Sequence, residues 1–280
     1  MKQTTLKKNV EIKGIGLHSG VDSTLVLRPA PANTGIVFSL SGVQMEAKFY
    51  NVVDTRNCTC LGKEGVAIST IEHLMAALYI LGIDNLFIDC SGKELPIMDG
   101  SAKVFLKEIE KNEIVTLEED RKKLKILKPV KFEDDKGNYV ELLPNEEDNL
   151  KVCFDIEFSS KIVGHQRFEN VITKEIFEAQ IAPCRTFCEK YQIDYLKSLG
   201  LIKGGSLENA VVLDGEKILN PEGFVVENEC VNHKVLDLIG DMYTSGYQLV
   251  AKVKAFRTGH FHNNEILKKV FADTSNYEIL

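Results

Sequence analysis

The chain has 280 residues, enough for two medium domains or one large one, and its 44% hydrophobic and 27% charged content is that of a globular protein. Mean hydropathy is −0.09, and no apolar run approaches the roughly 18 residues that would mark a bilayer span. A formal charge of −7, with no tryptophan and no basic stripe, argues against a nucleic-acid partner but leaves room for a small anion met by local cations.

The start, Met1-Lys-Gln-Thr-Thr-Leu-Lys-Lys, has neither the apolar core of a secretory signal nor the Arg/Ser richness of a transit peptide, so a cytoplasmic location is expected. Seven cysteines without a CxxC pair are expected to be reduced, with Cys58 and Cys60 on one side of a strand. Alternation predicts strands over Val10 to Gly14 and Ser23 to Pro29. Between them the glycine-rich turn Gly14-Ile-Gly-Leu-His-Ser-Gly20 presents His18, a candidate substrate contact.

Ser69 to Gly82 reads as a helix that is apolar nearly all round, hence buried, and that stops at a glycine. Its ionisable residues, Glu72 and His73, lie at its N-terminal end. Ser69-x-x-Glu72 has the spacing of a capping box, whereas His73 needs a partner, because an unpaired buried polar group costs about 1–3 kcal/mol. A strand over Asn85 to Cys90 and a helix from Ser101 to about Lys111 close a first unit. The mixed-charge run Glu118 to Lys123 reads as a linker.

The pattern then restarts. Asn138 to Pro144 leading to Val152 to Phe154 resembles Ser23 to Pro29 leading to Ile36 to Phe38. The expected class is therefore α+β, with two similar domains at residues 1–120 and 125–280, each a β-sheet packed with helices.

Asn228 to Asp241 is the second long helix. His233, Asp237 and Asp241 recur every fourth residue on one face, beside an apolar stripe of Val231, Val235, Leu238 and Met242. His and Asp one turn apart form either an ordinary ion pair or half of a divalent-metal site. A strand from Leu249 to Phe256, a loop Arg257 to His262 carrying His260 and His262, and a helix from Asn264 to about Ala272 end the chain.

The polar residues that burial leaves unexplained read together as a zinc hydrolase. His73, His233 and Asp237 would hold the metal, and Glu72 would act as general base. HExxH is absent, which excludes the thermolysin type. Two alternatives stay open at this point: a zinc amidase for some other acyl amide, and a protein clamped by a structural metal, in which a base beside a ligand would have no use.

The motifs Gly14-x-Gly-Leu-His-Ser-Gly20, Thr70-x-Glu-His-Leu-Met-Ala-Ala77, Pro96-x-Met-Asp-Gly-Ser101, Arg185-Thr-Phe187, Gly204-Gly-Ser206, His233-Lys-x-x-Asp237 and Gly259-His260 resemble the UDP-3-O-acyl-N-acetylglucosamine deacetylase family of lipid A synthesis. The resemblance runs from near residue 5 to near 272. It implies helices sandwiched between two sheets and Zn2+ in an interdomain cleft, bound by His73, His233 and Asp237. It further implies Glu72 as base, His260 as the group that protonates the leaving amine or stabilises the oxyanion, Thr186 as a further oxyanion donor, Lys234 as substrate-binding cation and Asp241 as the residue orienting His260. His18 and Phe187 would meet substrate, with Ile193, Leu207 and Val212 along an acyl passage. Cys188-Glu189-Lys190, where the family commonly has glycine first, would alter that passage's mouth, and His262 is expected to be structural. The implied substrate is a UDP-linked acyl amino sugar, and a monomer is expected.

Overall fold

The computed structural model describes residues 1–280. The alternating segments flanking the glycine-rich turn pair as a hairpin: Val10–Ile15 runs antiparallel to Asp22–Pro29, with Ile12 opposite Leu25 and both side chains buried. Asp22–Pro29 continues antiparallel to Leu86–Cys90, which pairs in parallel with Ile36–Leu40 and through it with Val43–Glu46. The result is a five-stranded sheet.

The restart in the pattern is a repeat of this topology. Val130–Glu133 pairs antiparallel with Tyr139–Leu143, which pairs antiparallel with Gln248–Phe256; that strand is parallel to Leu150–Glu157, itself antiparallel to His165–Val171. Lys123–Ile126 and Tyr277–Ile279 extend this second sheet to seven strands. In each unit a helix precedes the strand that joins the two hairpins.

Six helices accompany the sheets: α1 (Glu72–Leu81), α2 (Lys103–Glu110), α3 (Lys174–Ile176), α4 (Lys190–Ser198), α5 (Glu229–Met242) and α6 (His260–Phe271). The chain is α+β, with α1 and α5 packed on one another between the sheets. Every α1 residue from Glu72 to Tyr79 is buried, as an all-round apolar helix must be. On α5, Val231, Val235, Leu238 and Met242 are all in the core. Gly240 makes the crossing close: a Cβ there would fall 3.0 Å from Glu72 Cα and collide with its carbonyl oxygen.

Four local expectations are corrected. The capping box does not form: Thr70 takes a left-handed φ of 62°, so Ile71, not Ser69, is the N-cap and no side chain caps α1. Glu72, now the first residue of α1, makes no capping bond, and its carboxylate accepts the Thr59 N–H instead. The proposed linker is mostly strand, because Ile114–Asp120 pairs with Lys2–Leu6 and Lys123–Ile126 enters the second sheet. His260 does not sit in a loop but opens α6, which starts four residues earlier than the periodicity suggested. Cys60 begins a strand that leaves Cys58 outside it. All seven cysteines are free, and no helix is long and apolar enough to cross a membrane.

Candidate metal centre and substrate cavity

The α1–α5 crossing brings His73 at the start of one helix against His233 and Asp237 on the other. Asp237 Oδ1 lies 3.6 Å from His73 Nε2 and 3.5 Å from His233 Nε2, and one donor atom from each of the three falls within 4.8 Å of the others. Donors held about 2.0–2.1 Å from a tetrahedral zinc stand roughly 3.3 Å apart, so this set fits such an ion. The chemistry of the donors fits as well. His233 Nδ1 meets the Cys184 carbonyl at 3.1 Å, which leaves the Nε2 lone pair toward the shared point. Burial pushes His233 down to about 3, keeping it neutral. Burial opposes the charge on Asp237, but Lys234, whose Nζ is 2.8 Å from Oδ2, and the neighbouring imidazoles hold its carboxyl well below the usual range.

Glu72 is 3% exposed. Burial raises its pKa against the pull of His260 and His73, the condition expected of a carboxylate that exchanges protons near neutrality. His260 Nε2 stands 4.0 Å from Glu72 Oε1, and His260 Nδ1 lies 2.8 Å from Asp241 Oδ2. Burial would lower the imidazole's pKa, but Asp241 and Glu72 carry it up to about 9.

A cavity of about 40 Å³ is walled by Glu72, His73, His233, Asp237, His18, Thr186, Lys234 and His260. It shares His18, Thr186, Lys234 and His260 with a much larger one of about 830 Å³, whose walls include Phe187, Ile193, Leu207 and Val212. All thirteen sequence-selected residues except Asp241 thus line one of these two spaces; Asp241 reaches them through His260. Val212 is buried and Leu207 is 40% exposed, at the open side. Cys188, Glu189 and His262 also line the large cavity. The His262 ring bonds Asp134 at 3.1 Å.

The glycine-rich turn is held by a residue the sequence did not single out. Glu94 accepts the N–H groups of His18 and Ser19, both at 2.7 Å, and its carboxylate occupies the space a side chain on Gly16 would need. Neither His18 ring nitrogen has a protein partner. The Arg185-Thr-Phe segment is fixed by fully buried Glu229, which accepts Arg185 N at 3.0 Å, Nε at 2.8 Å and Nη2 at 3.1 Å. Thr59 and Asn263, both buried, bond the acidic groups behind the cavity. No spacing rule marks any of these, since each acts across a long sequence separation.

The model of a family described as LpxC, UDP-3-O-acyl N-acetylglycosamine deacetylase, matches residues 3–272. The chain is 42% identical to the UDP-3-O-acyl-N-acetylglucosamine deacetylase of Syntrophotalea carbinolica, over 99% of this chain and 90% of the relative. It is 43% identical to the protein of that name from Aliarcobacter butzleri, over 100% and 93% of the two chains, and 42% identical to that of Helicobacter pylori, over 100% and 95%. With the motifs in order along nearly its whole length, the chain belongs to the UDP-3-O-acyl N-acetylglycosamine deacetylase family.

Proposed function

We propose that this protein hydrolyses the N-acetyl group of UDP-3-O-acyl-N-acetylglucosamine, releasing acetate in the committed step of lipid A synthesis, as a cytoplasmic, zinc-dependent monomer. The carrying observation is that three donors suited to zinc and a carboxylate outside that donor set, Glu72, wall the same small cavity, which adjoins a large, mainly apolar one. His73, His233 and Asp237 would hold the ion; when bound, it supplies a Lewis acid that polarises the amide carbonyl and makes water acidic near neutral pH. The two units, 1–120 and 125–280, contribute His18, Glu72 and His73 from one side and His233, Asp237, His260 and the acyl passage from the other.

Glu72 takes a proton from the attacking water as its oxygen bonds the acetyl carbon. Negative charge gathers on the former carbonyl oxygen, where Thr186 donates a hydrogen bond and protonated His260 offers positive charge. Asp241 keeps His260 in the tautomer and orientation that point Nε2 toward the site. The carbon–nitrogen bond breaks as the nitrogen receives a proton from His260, giving acetate and a free amine. Lys234, part-buried and held charged by Asp237 beside it, meets the sugar. His18 and Phe187 flank the sugar, and Ile193, Leu207 and Val212 line the space for the acyl chain.

Acetate release from the UDP-linked acyl sugar, measured with and without chelator, tests the reading. Chelator-sensitive release supports it. Zinc-dependent cleavage of simple acyl amides with indifference to the UDP group would replace it by a general zinc amidase.

A further inference from the structure

Thr59 hydrogen-bonds both acidic residues behind the small cavity. Its N–H donates to Glu72 Oε2 at 3.0 Å and its hydroxyl to Asp241 Oδ1 at 2.5 Å. Its carbonyl accepts the N–H of Ile71, the N-cap of α1, at 3.4 Å. The other Asp241 oxygen is taken by His260 Nδ1 at 2.8 Å and Asn263 Nδ2 at 2.9 Å. Starting from Glu72, the chain of contacts runs through Thr59 to Asp241 and His260 and returns to within 4.0 Å of Glu72. The single opening in this loop, between Glu72 Oε1 and His260 Nε2, faces the cavity that both residues wall.

We propose that Thr59 is a positioning residue for the deacetylation, fixing the distance and angle between the proton acceptor Glu72 and the Asp241-supported imidazole. The inference rests on the deacetylase reading above. Glu72 rides on α1, Asp241 on α5 and His260 on α6, so three separately anchored elements set the spacing of two side chains. A one-ångström error in such spacing is enough to lose orders of magnitude in rate. Thr59 spans the first two elements directly and reaches the third through Asp241. At 2% exposure its hydroxyl is shielded from bulk solvent, and β-branching restricts χ1, which limits the directions the donor can take.

The experiment measures acetate release by zinc-loaded wild type, Thr59→Val, Thr59→Ser and Thr59→Ala, the first and second also with Asp241→Asn. Thr59→Val keeps shape and backbone N–H but removes the hydroxyl; Thr59→Ala removes it without placing a methyl against Asp241, should valine prevent folding. We expect kcat to fall about tenfold or more in both, within the range acid–base groups contribute, with KM changed less than twofold and zinc content unchanged. Thr59→Ser should recover most of the rate. In the Asp241→Asn background, Thr59→Val should lose less than twofold more, because the two act through one contact. The downfield Nδ1–H proton resonance of His260 should shift in Thr59→Val and stay in Thr59→Ser. An active wild type with Thr59→Val at full kcat, or with the same fold-loss in both backgrounds, overturns the role of Thr59 alone. A wild type that releases no acetate overturns the deacetylase reading and this inference with it.

Discussion

Replacing Asp241 by Asn separates the charge behind His260 from its shape. Asp241 is 3% exposed and donates nothing in its ionised form; it accepts from His260, Asn263 and Thr59. An asparagine retains an acceptor for His260 Nδ1 but loses the negative charge. Burial lowers the imidazole's pKa, and Asp241 is the first of the charges that instead lift it from 6.5 to about 9. At about 1.36 kcal/mol per pH unit, that lift corresponds to ~3 kcal/mol of preference for the protonated form. The sign follows directly. Protonated His260 is the competent acid, so activity falls as pH rises through its pKa, and a lower pKa in Asp241→Asn moves the alkaline limb of kcat/KM toward acid, by at least about one pH unit. The same group contributes stability that is complete below its unfolded value near 6.5 and is lost as pH rises through about 9. The difference in Tm between wild type and variant should therefore be largest near pH 6 and shrink above pH 9. Initial rates from about pH 5 to 10, with zinc content measured in each sample, provide the assay. An alkaline limb that overlays that of wild type, at equal zinc content, would refute the assignment of that limb to His260.

Other perturbations test separate parts of the site and fold. His233→Ala or Asp237→Ala should purify without zinc, whereas Glu72→Gln should keep near-stoichiometric zinc and lose about 10² or more in rate; metal analysis finding Glu72→Gln empty would reverse the roles of ligand and base. Removing the 3-O-acyl group from the substrate should lower kcat/KM at least about 100-fold, ~2.7 kcal/mol, far below the full burial of ten methylenes at about 0.8 kcal/mol each. Equal values for acylated and unacylated sugars would leave the large cavity without its proposed ligand. Gly240→Ala should destabilise by about 3 kcal/mol or prevent folding, because the new methyl meets the Glu72 backbone at the helix crossing; a wild-type urea midpoint would show that the crossing can open freely. Glu229→Ala leaves the Arg185 guanidinium to Glu222 and the Gly223 carbonyl and strands the backbone N–H groups of Arg185 and Val225, a loss expected at about 2–3 kcal/mol by denaturation, and a change under about 1 kcal/mol would contradict it.

The long periodic elements were legible because their determinants are local. An all-apolar run ending at Gly82 can only be a buried helix, and the spacing of His233 and Asp237 puts both on one helix face whatever surrounds them. The repeated strand–Pro–strand pattern likewise pointed to two units, and the two sheets do share one strand order and sense. Family motifs selected residues that the structure gathers around two adjoining cavities.

What the sequence could not decide were the features set by distant partners. Ser69-x-x-Glu72 satisfies a local capping rule, but the left-handed turn at Thr70 moved the helix start and turned Glu72 toward Thr59 and the cavity. The charged run from Glu118 reads as a linker, and its side chains through Asp120 are exposed, yet its first three residues belong to a strand paired with the chain's first residues and Lys123 enters the second sheet. Thr59 stands 182 positions from Asp241, Arg185 stands 44 from Glu229 and Glu94 stands 76 from His18. Periodicity reports only which face of an element is buried; which polar groups meet there depends on how two elements cross, and here that was set by the close approach of Gly240 to Glu72.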